Sequence, residues 1–81
     1  MNTSIQELAD RINAAKRFLD GEMTNLRLGR SVQISAFEIH THRDTIHEVE
    51  RHGLRNITEL ELIRIQRTLT TLEAQMLLSS N

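Results

Sequence analysis

The sequence predicts an all-α protein: a small antiparallel bundle of three helices that is expected to be oligomeric. Two observations carry this prediction. Apolar residues recur at spacings of three and four along three segments, and each segment opens with a helix-capping signal in a chain of 81 residues without proline. The connections are short, so consecutive helices should be antiparallel neighbours. The predicted helices span about 4–28, 31 or 35 to 52, and 58–78, in a single helical domain over 1–81.

The first helix is predicted from one capping signal and one apolar stripe. Ser4 and Glu7 have the spacing of a capping box, so the helix begins at Ser4. Gly29 is the predicted terminator, and Gly21 stays inside the helix at a cost of about 1 kcal/mol relative to alanine. The stripe consists of Ile5, Leu8, Ile12, Ala15, Leu19 and Leu26.

Residues 26–34 allow a second interpretation. Leu26, Leu28, Val32 and Ile34 alternate with other residues around Gly29, as in a short β-hairpin. A two-stranded hairpin alone is marginally stable, so this one would need helices packed behind it. The sequence leaves helix end, loop and hairpin open for this segment.

The second helix has a capping box at Ser35 and Glu38, and Ile34 can pack on Ile39 as a hydrophobic staple. Ser31 is an alternative, earlier start. The expected stripe is Ile39, His42, Ile46 and Val49.

A Schellman stop is predicted for the second helix near His52. Gly53 would supply the left-handed residue, and Leu54 would pack back on Val49.

The third helix is predicted to start at Thr58, where Thr58 and Glu61 form a capping box and Ile57 can staple to Leu62. Its stripe is unbroken, which favours coiled-coil-like packing. Glu73 falls on the polar side, where a substitution should be nearly silent. The stripe consists of Leu62, Ile65, Leu69, Leu72 and Met76.

Composition excludes several classes of protein. The longest apolar runs are far too short to cross a bilayer, and the first twenty residues carry six charges where a signal peptide needs an apolar core. A cytoplasmic protein is therefore expected. The formal net charge of -1 and the absence of Trp and Tyr argue against a dedicated nucleic-acid binder.

Catalysis has little support in the sequence. The chain has no cysteine nucleophile and no glycine-rich phosphate loop, and three short helices leave no large concave pocket. We expect a non-enzymatic protein without a cofactor.

The four histidines fall within thirteen residues. His40, Asp44 and His47 share one helix face, but Arg51 on the same face would repel a metal ion, and the two histidines are two turns apart. No metal site is expected, although the cluster alone does not decide the matter. A solvated polar face is the simpler interpretation.

His42 differs from the other histidines because it occupies the core stripe between Ile39 and Ile46. It is expected to be a packed histidine with one nitrogen hydrogen-bonded. The alternative is a polar residue at a helix interface that sets the register or senses pH.

An anion site is a further hypothesis. No acidic residue occurs between Met23 and Phe37, and Arg27, Arg30, Ser31 and Ser35 lie near the start of the second helix, where free N–H groups favour a phosphate. The simpler interpretation is that the two arginines stabilise the end of the first helix.

Three apolar residues, Phe37, Leu60 and Ile63, lie off the main stripes and, with His42, form the predicted interface. A chain of this size buries only about 60% of its unfolded surface, so self-association would help to stabilise it. The predicted function is a non-enzymatic interaction module, an adaptor, co-chaperone or inhibitor that docks on a larger protein. The alternative is a small helical oligomer that binds an anionic, phosphate-bearing ligand or nucleic acid through Arg27, Arg30 and a helix N-terminus.

Overall fold

The computed structural model describes residues 4–79 and contains three α-helices. These are α1 (Ile5–Arg27), α2 (Ala36–His52) and α3 (Glu59–Ser79), with a 3₁₀ turn at Leu54–Asn56 before α3. Each helix packs against the other two, which confirms the all-α prediction. No strand occurs among residues 4–79, so the hairpin interpretation of residues 26–34 is wrong. This segment is the last turn of α1 followed by a loop.

The start of α1 is set by Ser4, as predicted. Its side-chain oxygen accepts the Glu7 N–H at 3.0 Å. Within the described residues the reciprocal bond of a full capping box is not formed.

A Schellman motif ends α1 at Gly29. This glycine has φ 70°, a value that favours glycine, and its N–H donates to the Leu26 carbonyl at 3.2 Å. The Arg30 N–H reaches back to the Asn25 carbonyl at 2.8 Å. The pair of bonds is the one that defines the motif.

The start of α2 is confirmed at the Ser35 cap. The Glu38 N–H donates to Ser35 Oγ at 3.1 Å, and the Ser35 N–H donates to the Glu38 carboxylate, so both halves of the capping box form. The earlier start at Ser31 is wrong. Ile34 and Ile39 are both buried in the core on either side of the cap, where a hydrophobic staple would place them.

The end of α2 differs from the expected Schellman stop. Gly53 does end the helix with a positive φ of 86°, but its ψ of 139° is extended rather than left-handed helical. The chain therefore turns into the 3₁₀ segment, and the Asn56 side-chain amide donates to the His52 carbonyl at 3.1 Å. The His52 carbonyl is one of the last carbonyls of α2, which have no donor within the helix, and the Asn56 side chain supplies that donor.

The start of α3 is confirmed at Thr58. The Glu61 N–H donates to Thr58 Oγ1 at 3.1 Å, and the Thr58 N–H donates to Glu61 Oε1 at 3.0 Å. Ile57 and Leu62, on either side of this cap, pack against the core.

The core contains most of the predicted stripes. The corrections are at the ends of α1: Ile5 and Leu26 are exposed, and Met23 and Glu22 are buried instead. The stripe runs through Met23 because it follows Leu19 by four residues, which keeps it on the same face. The buried apolar residues are Leu8, Ile12, Ala15, Leu19, Met23, Ile34, Ile39, Ile46, Val49, Ile65, Leu69 and Leu72.

Polar contacts are consistent with antiparallel neighbours. Lys16 in the middle of α1 bonds Glu50 near the end of α2 at 3.0 Å, while Glu22, later in α1, bonds the loop that precedes α2. His52 at the end of α2 bonds Glu61 in the first turn of α3. These are contacts that antiparallel neighbours would make.

Glu73 is not the silent polar residue that the stripe suggested. Its carboxylate receives two hydrogen bonds from Arg11, from Nε to Oε2 and from Nη2 to Oε1, both at 2.8 Å. This two-bond ion pair ties α3 to α1.

Across residues 4–79, none of the helices combines the length and the hydropathy that a membrane span requires.

Candidate interaction surface

Large apolar side chains remain exposed on α3, on the side opposite the core. Leu60, Ile63 and Leu78 are 57%, 49% and 65% exposed. At 100° per residue, they lie within an arc of about 100° whose centre is opposite the buried Ile65 and Leu69. We call this arc the outer face of α3; its members are Leu60, Ile63, Arg67, Thr70, Thr71, Ala74 and Leu78.

The outer face has the spacing of a helix-packing seam. Leu60, Ile63, Arg67, Thr70 and Ala74 follow one another at intervals of three, four, three and four residues. That alternation is the one by which a helix presents a narrow stripe to a second helix. A shallow groove between Ile63 and Thr71 runs along it. The helix therefore carries two stripes, one against its own bundle and one facing solvent.

The outer face carries little charge, and its two edges carry charges of opposite sign. Arg67 is the single charged member. Glu59 lies just beyond one edge and Arg64 just beyond the other. Among the described residues none of these three side chains takes part in an ion pair. Their charges are available to a partner.

The four residues predicted for an interface lie on two different helices. Leu60 and Ile63 belong to the outer face of α3, whereas Phe37 lies on α2 and is 78% exposed. His42, also on α2, is half-buried. Its Nε2 is enclosed and has no hydrogen-bond partner among residues 4–79, so the expected hydrogen bond is not made by this atom. Their role as an interface stays a prediction.

The residues of the predicted anion site lie at the α1–α2 loop. Arg27, Arg30, Ser31 and Ser35 are all exposed. The Ser35 hydroxyl already bonds the Glu38 N–H and carboxylate. The anion site stays a prediction, but one of its predicted donors, the Ser35 hydroxyl, is already bonded to Glu38.

Glu22 is a buried, hydrogen-bonded carboxylate that the sequence analysis did not predict. Only 6% exposed, it accepts the Gln33 N–H at 2.6 Å and the Ile34 N–H at 3.2 Å on one carboxylate oxygen. Glu22 thus places a carboxylate of the chain itself against the segment between Met23 and Phe37, which has no acidic residue of its own. Its position three residues after Leu19, on the α1 stripe, was the available signal.

The histidines are separated in the structure. His40 and His47 are exposed on α2, and His52 is engaged with Glu61. In the part of the chain that the structure describes, no three potential ligand side chains are grouped to hold a metal ion. The groove between α1 and α2 is lined mainly by charged residues, namely Lys16, Asp20, Arg43 and Glu50, together with Leu19, Ile46 and His47.

No family model matches this chain, and comparisons with curated proteins and with solved structures find no match either.

Proposed function

We propose that this chain is a non-enzymatic protein-interaction module that self-associates through the outer face of α3, with a second copy as the occupant. The observation that carries the proposal is that Leu60 and Ile63, the first two residues of the seam, are exposed opposite the core, with Leu78 exposed on the same side of the helix. Single exposed apolar residues need no explanation, but a helical stripe at seam spacing is typical of a packing surface.

The shape of the molecule supports a second copy as the occupant. Its extents are 40 × 25 × 16 Å and its radius of gyration is 13.0 Å, against about 11.7 Å expected for a compact chain of this length. The accessible surface of 5790 Å² likewise exceeds the roughly 5000 Å² expected for a folded monomer of this mass. In so thin a bundle every helix keeps one side in solvent. On α3 this side is apolar, and pairing with a second copy would bury it.

A module of this kind acts by holding partners. A paired helical scaffold that docks on a larger protein can serve as an adaptor, a co-chaperone or an inhibitor, and none of these roles needs a catalytic group. The activity of such a module would depend on its exposed binding faces and on the equilibrium between free and paired chains.

The concentration dependence of thermal unfolding tests the proposal. Pairing stabilises the folded chain by mass action. For a dimer whose dissociation constant lies in the micromolar range, the thermal midpoint of wild type should rise as the chain concentration increases from about 1 to about 100 µM. Circular dichroism measures this midpoint. Ile63→Glu places a charge in the seam and should abolish the rise. Leu28→Glu, a matched change at an exposed leucine outside α3, should keep it. A wild-type midpoint independent of concentration would contradict self-association.

Inorganic phosphate separates this proposal from the anion-binding alternative. Because Glu22 already occupies the loop N–H groups of Gln33 and Ile34, phosphate should leave the unfolding midpoint unchanged. A phosphate-dependent rise that disappears in the Arg27→Ala, Arg30→Ala double variant would favour the alternative.

A further inference from the structure

We infer that the two copies pair their α3 helices in parallel and in register, so that Glu59 of each copy forms an ion pair with Arg64 of the other. The inference rests on the proposed function and adds the orientation of the pair and the charges that set it.

The register follows from the seam. With Leu60, Ile63 and Arg67 as successive a, d and a positions of a heptad, Glu59 takes the preceding g position and Arg64 takes e. In a parallel pair, a g residue faces the e residue five positions further along the second helix. Glu59 and Arg64 are five positions apart, and their charges are opposite.

The symmetry of the pair makes this match occur twice. Both side chains lack an ion-pair partner within residues 4–79, so pairing breaks no existing ion pair. An antiparallel pair would instead set the Glu59 edge of one helix against the same edge of the other, and the Arg64 edge against the Arg64 edge. Neither charge would then meet its opposite. The charges therefore favour the parallel orientation.

Arg67 sets the strength of the pair. At an a position it faces Arg67 of the second copy, where two like charges oppose association although the aliphatic stems cover apolar surface. Arg67→Leu should therefore tighten the pair, and association should remain reversible in wild type. A polar residue at one seam position also disfavours slipped registers.

Disulfide cross-linking tests the orientation in a chain that has no cysteine of its own. Residues at the same seam position of a parallel pair come within disulfide range, so Leu60→Cys should yield a covalent dimer on mild oxidation. In an antiparallel pair the two residues would lie near opposite ends of a helix about 30 Å long. An a position of one helix would then face a d position of the other, and Leu77 is the d position near the end of α3. A mixture in which Leu60→Cys links to Leu77→Cys, but not to itself, would overturn the parallel pairing while leaving self-association intact.

Charge reversal tests the ion pairs. Glu59→Arg or Arg64→Glu alone should weaken the dimer by on the order of tenfold, because two pairs are lost and like charges oppose. The double variant Glu59→Arg, Arg64→Glu should restore the wild-type dissociation constant. Equal dissociation constants for all four proteins would overturn the charge assignment. A monomeric wild type would instead mean that the proposed function itself fails.

Discussion

Arg11 of α1 and Glu73 of α3 form a two-bond ion pair in which both distances are 2.8 Å. The side chains are 32% and 40% exposed, so solvent screens the pair only in part. Planar guanidinium and carboxylate groups match in this geometry, which fixes the relative position of the two helices as well as adding energy. The partners lie 62 positions apart in the sequence.

The first prediction concerns the coupling between these two residues. A double-mutant cycle with Arg11→Gln and Glu73→Gln should give an interaction free energy of about 0.5–1 kcal/mol, since partly exposed pairs are worth little more. The cycle is measured by urea unfolding, and the coupling should shrink at high salt. Asp44→Asn, at an exposed carboxylate that forms no ion pair within residues 4–79, is the control and should be silent. A coupling of zero at low salt would contradict a stabilising pair.

The second prediction is a pH dependence. The hydrogen bonds and the positive charge of Arg11 lower the pKa of Glu73. As pH falls, the unfolded chain therefore takes up this proton first, near the usual value of about 4.3. The contribution of Glu73 to stability is full above that value and is lost as pH falls through the folded pKa. Urea midpoints of wild type and Glu73→Gln should differ at pH 7 and converge below about pH 4.

A second carboxylate adds to the same acid sensitivity. Hydrogen bonds from the Thr58 backbone N–H and, less strongly, from His52 lower the pKa of Glu61. Protonating Glu61 weakens the cap of α3 at low pH, so some acid destabilisation should persist in Glu73→Gln. If the midpoint of that variant did not change between pH 7 and pH 3.5, neither this cap nor the other carboxylates would contribute.

The third prediction concerns Glu22. Glu22→Ala leaves the N–H groups of Gln33 and Ile34 without their acceptor, and an unsatisfied buried donor costs about 1–3 kcal/mol. Glu22→Gln keeps an acceptor oxygen and should cost less. Amide hydrogen exchange locates the effect: protection of Ile34 should fall in the alanine variant, while protection of Leu69 should follow global stability alone. Unchanged exchange at Ile34 would contradict the capping role.

The fourth prediction tests the buried face of α3. Leu69 is fully buried, so Leu69→Ala should cost about 2–5 kcal/mol of unfolding free energy through lost transfer energy and the cavity left behind. Leu28→Ala, the same change at a leucine 59% exposed, should cost little. Equal urea midpoints for the two variants would mean that the buried face has been assigned wrongly.

Local signals predicted the helices well because their causes are local. The boxes at Ser35 and Thr58 depend on residues three apart, and the stripe through Ile65 and Leu69 depends on helical periodicity alone. Each is complete within a few turns of one helix. That is why the three elements were found with errors of only a few residues at their ends.

Glycine conformations were predicted less well. Both Gly29 and Gly53 have positive φ, as their positions after a helix suggest. The full pair of Schellman bonds forms at Gly29, whereas the Gly53 N–H makes one of them, to the Glu50 carbonyl. The value of ψ at Gly53 depends on where α3 must begin, which is a property of the packed bundle. Sequence spacing carries no information about it.

Tertiary polar contacts were not predictable from periodicity. Glu22 and Glu73 each find partners on other segments, and the helical pattern gives only the face on which a carboxylate lies. The outer face of α3 was also anticipated only in part: the sequence singled out Leu60 and Ile63 as apolar residues off the main stripe. Its continuation through the small residues Thr70 and Ala74 was missed because those residues carry little hydrophobic signal.

Sedimentation equilibrium of the wild-type chain most directly tests whether the outer face of α3 is a self-association surface. Interference optics are needed because the chain contains neither Trp nor Tyr. Self-association through this face predicts a mass approaching twice 9.4 kDa as concentration rises through the micromolar range, and a mass of 9.4 kDa for Ile63→Glu. A wild-type mass of 9.4 kDa at every concentration, or a dimer that Ile63→Glu leaves intact, would contradict it.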